Sequence, residues 1–316
     1  MKIIPAFTFC PALALLLTVS GRAAAAPLTV GFSQIGAESG WRTANTDSIK
    51  AEAAKRHINL RFSDAQQKQE NQIKALRSFV AQGVDVIAFS PVVETGWEPV
   101  LREIKQAGIP VVLTDRGVAV SDPSLYVTFI GADFVEEGRR AGRWLAQKTN
   151  GQAVIAELVG TPGSAPAIDR KKGFEEILAG NPGMKIVLSQ SGDFTRAGGK
   201  EVMEAFLKSP QGHRINALFA HNDDMALGAI QAIEEAGLKP GKDITIISID
   251  GVRGAFEAMV AGKLNCTVEC NPLIGPQLFD LVESVAAGKP VPRNVRVKES
   301  VYDQSEAAAA LPTRQY

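Results

Sequence analysis

Short β-branched runs alternate with amphipathic stretches along almost the whole chain, and the series runs through twice. The first set of strands is "LTVGFSQI" (28 to 35), "NLRFSDA" (59 to 65), "VDVIAFSPV" (84 to 92), "IPVVLTDRG" (109 to 117) and "LYVTFIGAD" (125 to 133). Helical patterns fill the gaps at 41 to 57, 67 to 82 and 96 to 107. A second set follows: "AVIAELVG" (153 to 160), "KIVLSQSGD" (185 to 193), "NALFAHND" (216 to 223), "ITIISIDG" (244 to 251) and "NCTVEC" (265 to 270). Helices near 164 to 180, 196 to 208, 223 to 236 and 252 to 262 separate them. Strand and helix in alternation build a parallel sheet. Gly/Pro punctuation such as "AGIP", "AGNPG" and "LKPGKD" falls where helices should stop. Two series of similar length in 316 residues predict an α/β protein of two similar lobes, and no flexible linker divides them.

The first 26 residues read as an address: Lys2, an apolar rise to "ALALLLTV", then "SGRAAAAP" with small residues at a cleavage spacing. Residues 1–25 are the expected signal peptide, with cleavage after Ala25 and export to the periplasm. Cys10 leaves with it. No later apolar run approaches the ~20 residues of a spanning helix. Cys266 and Cys270 remain; in a strand their Cα atoms would stand about 13 Å apart, too far for a disulfide, so they are expected as buried thiols. The 34 basic residues balance 34 acidic ones, which gives no electrostatic footprint for nucleic acid or an anionic membrane.

Ligands of doubly wound sheets bind beyond the carboxyl ends of the strands. Those ends carry "GAESGWR", "TDRG", "SGDF", "HND" and "SIDG". In "HNDDMALGAI", Asp223 and Asp224 open a helix, where carboxylates cap and suit the dipole, while Asn222 at the strand exit offers a donor and an acceptor to the crevice. His221 with Asp223 lacks a metal-ligand spacing, and neither His57 nor His213 adds a ligand, so no metal is expected. Asp115 and Arg116 share a strand end, either as a structural ion pair or as a ligand hook. Asp250 repeats the placement in the second series, which favours two hooks on one ligand. With Glu38, Arg42 and Arg170 the set becomes three acids and three arginines. A balanced set suits a neutral polyol: carboxylates accept hydroxyl protons and arginine forks donate to oxygens. Trp41 and Phe194 are candidate apolar walls for the ring, or else core. No GxSxG, HExxH, Walker loop or GxGxxG is present, so no enzyme and no cofactor are expected.

From about Leu28 onward the chain resembles the type I periplasmic sugar-binding proteins of ABC importers, the ribose/galactose group. The stretches "SGWR", "QQKQENQIKALRSFVAQGVDVIAFSPVVETGWEPV", "SGDFTRAGGKEVMEAF" and "AHNDDMALGAIQAIEEAGLKPGKDI" are similar, within it, to the galactofuranose-binding branch. The resemblance implies two Rossmann-like lobes joined by three crossover strands near Phe129 to Asp133, Cys270 and Glu299. The lobes would be 26–130 plus 271–299 and 131–270 plus 300–316. It places sugar contacts at Glu38, Ser39, Gly40, Trp41, Arg42, Asp115, Arg116, Arg170, Asn222 and Asp250, with Phe194 where ribose-type members stack a ring. Ribose-type members carry a glutamine at about the position of Cys270, so this chain departs from the ribose pattern. The implied function is capture of a neutral monosaccharide by hinge closure, as a monomer, and delivery to a membrane permease. A sensor subunit serving a membrane receptor or kinase, and more remotely a glycoside hydrolase, would share these residues. Repressors share the fold, but no helix-turn-helix precedes Leu28.

Overall fold

The computed structural model describes residues 1, 2 and 27–316. The expected signal peptide therefore lies almost wholly outside the described residues. The chain runs β1 (Thr29–Gln34), α1 (Gly40–Lys55), β2 (Asn59–Asp64), α2 (Gln69–Ala81), β3 (Val86–Phe89), α3 (Glu98–Gln106), β4 (Val111–Thr114) and β5 (Thr128–Gly131). It continues through α4 (Phe134–Lys148), β6 (Ala153–Val159), α5 (Ala165–Ala179), β7 (Met184–Ser191), α6 (Arg196–Lys208), β8 (Ala217–Ala220), α7 (Asp223–Glu235), β9 (Thr245–Asp250), α8 (Arg253–Val260) and β10 (Cys266–Glu269). It ends with α9 (Gly275–Ala286), β11 (Asn294–Arg296), β12 (Val301–Asp303) and the short α10 (Ala307–Ala310). Among the described residues no helix is long and apolar enough to cross a membrane.

Two six-stranded sheets result, ordered β2-β1-β3-β4-β5-β11 and β7-β6-β8-β9-β10-β12. The expected strands form, and the two orders repeat one winding. All pairs are parallel except β10 with β12. Central strands such as β3 "VIAF" and β8 "ALFA" are buried throughout, because helices cover both faces of a parallel sheet. The edge strand β2 alternates between exposed and half-buried positions. In the first lobe Phe32, Ile49, Val86 and Phe279 pack on one face, and Phe79, Phe89, Trp97 and Ile104 on the other. In the second, Phe174 stacks on Phe219 with centroids 4.1 Å apart.

The chain crosses between the sheets three times: from β5 to α4, from β10 to α9, and from β11 to β12. Helices α4 and α9, each following a crossing, were not assigned from periodicity. Cys266 and Cys270 are both buried and free.

Candidate functional site

Every loop that faces the gap between the lobes leaves the carboxyl end of a strand. From the first lobe come the β1 loop with α1, and Asp115 and Arg116 just past β4. From the second come α5 with Arg170, Phe194 after β7, Asn222 after β8 and Asp250 at the end of β9. They form a narrow cleft, about 300 Å³ counting the part open to solvent, lined by Glu38, Ser39, Trp41, Arg42, Asp115, Arg116, Phe134, Pro166, Arg170, Phe194, Asn222, Asp250 and Cys270. Of the eleven residues expected from sequence, ten line this space. Gly40 does not; its N–H is turned to Asp224 Oδ2 at 2.8 Å. Phe134, Pro166 and Cys270 had not been proposed as walls. Pro166 is the second residue of α5, beyond the Gly-containing loop 160–164, and Phe134 opens α4 directly after the carboxyl end of β5; those strand-end positions are the signal that could have found them.

On the first lobe Arg42 organises the wall. Its Nε donates to Glu38 Oε1 at 3.0 Å, Nη1 to Gln34 Oε1 at 3.3 Å, and Nη2 pairs with Asp115 Oδ2 at 2.7 Å. Burial opposes the charge on this guanidinium, yet Asp115 and Glu38 together raise its pKa. Ser90 Oγ also donates to Asp115 Oδ2, at 3.0 Å. Arg116 donates Nη1 to the Val92 carbonyl and stands 3.8 Å from Asp115. Burial and then the charge of Arg42 push it down to about 10, still a cation at neutral pH. Glu38 Oε2 and Arg116 Nε are buried without a partner. A buried acceptor and a buried donor left open beside one cavity are what a hydroxylated ligand would satisfy.

The second lobe presents barer groups. Among the described residues the Asp250 side chain makes no hydrogen bond, and its nearest cation is Arg170 Nη2 at 3.8 Å. Burial pushes its pKa well above the usual carboxylate range, with Arg170 opposing and Asp223 adding to the rise. Arg170 is fixed by its other nitrogens, Nε to Glu137 Oε2 at 2.7 Å and Nη1 to the His221 carbonyl at 2.5 Å. Phe194 lies between guanidinium groups, 5.2 Å from Arg116 and 6.0 Å from Arg170. A Cβ on Gly160 would sit 1.9 Å from that ring, so only glycine leaves the ring its place. Asp115, Phe194 and Asp250 have φ of 61°, 60° and 135°, where side chains other than glycine's are strained.

The polar knot at 222–224 corrects the sequence reading. Asn222, not the acids, is the helix cap: its Oδ1 accepts the Met225 N–H at 3.0 Å while Nδ2 donates to the Phe194 carbonyl at 3.1 Å. It caps and lines the cavity at once. Asp223 ties down the Asp250 loop instead, accepting from Gly251 N–H at 2.7 Å, Val252 N–H at 2.8 Å, Thr267 Oγ1 at 2.8 Å and Ser248 Oγ. Asp224 reaches across to the first lobe, to Gly40, while Arg196 pairs with it at 3.0 Å. Carboxylates at a helix start can point onward as well as back, and sequence does not say which. Trp41 is wall and brace together, since its Nε1 donates to the Cys270 carbonyl at 2.5 Å. His221 is buried against Glu157, 3.3 Å away, and burial lowers its pKa.

Comparison with known proteins follows this geometry. A periplasmic binding protein domain matches residues 30–290. The chain is 55% identical over 284 residues to the galactofuranose-binding protein YtfQ of Escherichia coli K12, covering 89% of each. A Mycobacterium smegmatis protein solved in complex with β-D-fucofuranose is 59% identical, with TM-score 0.89 over 92% of this chain and 95% of that one. The binding component of the arabinose ABC transporter from Shewanella sp. ANA-3, solved with α- and β-L-arabinofuranose, is 56% identical, with TM-score 0.88 over 91% and 95%.

Proposed function

We infer the function from one premise: this chain belongs to the periplasmic binding protein family. Its relatives are sugar-binding proteins of transport rather than enzymes, and the family's place is the periplasm. The chain captures a neutral monosaccharide, galactofuranose or a related furanose, pentose or hexose, and delivers it to the permease of an ABC importer. The sugar contacts both lobes, and its higher affinity for the arrangement in which they meet shifts the population toward that form. The protein works as a monomer without cofactor, metal or nucleic acid, after removal of residues 1–25.

One observation carries this reading: Asp115 and Asp250, on opposite lobes, line a single cavity in which three acids are matched by three arginines. A phosphorylated or carboxylated ligand would call for a cationic excess. Micromolar affinity is worth about 8 kcal/mol, and a hydrogen bond to a charged group contributes roughly 1.5–3 kcal/mol. The open groups of Glu38, Asp115, Arg116, Arg170 and Asp250 suffice. Calorimetry with D-galactose, L-arabinose, D-ribose and galacturonate tests it. A neutral sugar should bind at micromolar concentration and galacturonate at least tenfold more weakly; folded protein that binds no neutral sugar would overturn the reading.

A further inference from the structure

Beside Arg170 the three connections between the lobes converge, the second of them reaching the cavity wall at Cys270. Glu137 lies in the first turn of α4 after the first crossing, Cys270 in the second crossing and Glu299 in the third. One carboxylate oxygen of each glutamate and the Cys270 Sγ lie within 4.8 Å of one another. Glu137 faces Arg170 on α5 because the two helices touch backbone to backbone: a Cβ on Gly138 would stand 2.1 Å from the Arg170 carbonyl oxygen, and one on Gly173 1.9 Å from that of Val135. Glu137 Oε2 accepts a hydrogen bond from Arg170 Nε–H at 2.7 Å, while Glu137 Oε1 and Glu299 Oε1 are both buried with no donor among the described residues. Two adjacent buried carboxylates cannot both stay charged at low cost, whereas one proton between them makes a short, charge-assisted hydrogen bond.

We propose that Glu137 and Glu299 share one proton across the hinge, and that Glu137 is thereby a positioning residue that holds Arg170 toward the sugar. The surrounding charges agree. Arg170 on α5 favours an ionised Glu137, and Asp250 on β9 and the Cys270 thiol add no cation. Arg140, on α4 with Glu137, donates Nη1 to the Glu299 carbonyl at 3.3 Å but comes no closer than 4.0 Å to its carboxylate. Burial raises both carboxyls, and the charge of Glu137 pushes Glu299 further, up to about 10; the ion pair of Arg170 with Glu137 at 2.7 Å favours the ionised form there and leaves the proton to Glu299. The chain is then continuous: Glu299 holds Glu137, Glu137 holds Arg170, and Arg170 stands beside Asp250.

The affinity arm of the test rests on the sugar-binding reading; the spectroscopic arm does not. Infrared spectroscopy at pH 8 should show a carboxylic-acid C=O component that Glu299→Gln removes and Asp250→Asn leaves. Because the folded pKa of Glu299 lies above its unfolded value, its stabilisation is complete below the ordinary carboxylate range and is lost as pH rises through about 10. The melting temperature of the wild type should therefore fall between pH 8 and pH 10 more than that of Glu299→Gln. By calorimetry with D-galactose and L-arabinose, Glu299→Gln should bind within about threefold of wild type, since a glutamine amide replaces the proton donor, and Glu137→Gln at least tenfold more weakly. An unchanged infrared band in Glu299→Gln would refute the shared proton, as would a loss of affinity equal to that of Glu137→Gln. A melting shift produced by Zn²⁺ alone in the wild type and absent in Glu299→Gln would also overturn it, by naming a cation as the bridge. Wild type that binds neither sugar would sink the transport reading and leave the infrared result to decide the proton.

Discussion

Asp115 and Asp250 occupy equivalent places in the two lobes, at the carboxyl end of the fourth strand of each winding, and both hold strained backbone angles. Their surroundings differ. Asp115 is caged, its Oδ2 shared by Arg42 at 2.7 Å and Ser90 at 3.0 Å, so the protein itself satisfies half of the carboxylate. Asp250 has no hydrogen-bond donor among the described residues. The first lobe is thus a preorganised half-site in which orientation is fixed before the ligand arrives. The second carries a carboxylate whose burial is compensated only when something with hydroxyl groups reaches it. A cleft built this way favours closure on a ligand over closure without one, because the cost of burying Asp250 is offset only in the liganded form.

The largest effect should break the cage. Asp115→Ala leaves Arg42 and Arg116 buried with less counter-charge, and removing one partner of a buried pair costs about 3–5 kcal/mol. Chemical denaturation should show that loss, with sugar binding lost alongside. Asp250→Asn should do the opposite to the fold. Its folded pKa is raised, so its stabilisation is complete below the ordinary carboxylate range and disappears as pH rises through the shifted value. At pH 8 the sugar-free Asp250→Asn variant should be at least as stable as wild type, while its sugar affinity falls at least tenfold, on the order of 1.4 kcal/mol. Wild-type affinity should also weaken on the acid side, as a proton competes for the carboxylate, and the variant should lack that dependence. Equal stability losses in both variants would erase the distinction between the lobes.

Smaller effects should come from contacts between the lobes that never touch the ligand. Asp224 supplies the acceptor for an N–H at the start of α1, a donor that the helix itself cannot satisfy. It was expected from sequence to cap its own helix. Asp224→Ala should instead weaken affinity by about three- to tenfold, in line with one charge-assisted hydrogen bond partly exposed to solvent. Asp224→Asn, which keeps an acceptor, should recover most of it. Unchanged affinity in Asp224→Ala would mean that the contact contributes nothing to closure.

How far sequence carried this picture follows from what periodicity encodes. Burial on both faces of β3 and β8 produces unbroken apolar runs, and the placement of polar residues at strand ends follows from the winding, so Asp115 and Asp250 could be found. Pairing across space leaves no such mark. Whether Asn222 or Asp223 caps α7 depends on which way each side chain turns, and Glu137 and Glu299 look like ordinary helical and loop acids until the crossings bring them together. Cys270 was expected as a buried thiol on a crossing and as a departure from the ribose pattern, but not as a wall, because a wall residue on a crossing has no period to belong to.

The finest distinction lies in the two helix caps, one from each lobe. Ser39 Oγ accepts the Arg42 N–H at 3.1 Å and thereby sets the first turn of α1. Ser39→Ala should lower stability by about 1 kcal/mol, with affinity within about twofold, since the hydroxyl oxygen is already engaged with the backbone. Asn222 keeps the same kind of capping bond through Oδ1, but its amide nitrogen also holds the Phe194 carbonyl and has a second N–H for the cavity. Asn222→Asp preserves the cap but removes both donors and sets a carboxylate oxygen against the Phe194 carbonyl, so affinity should fall several-fold, well beyond the change in Ser39→Ala. If Asn222→Asp instead matched Ser39→Ala, losing stability and keeping affinity, then Asn222 would belong to the frame of the second lobe and not to its grip.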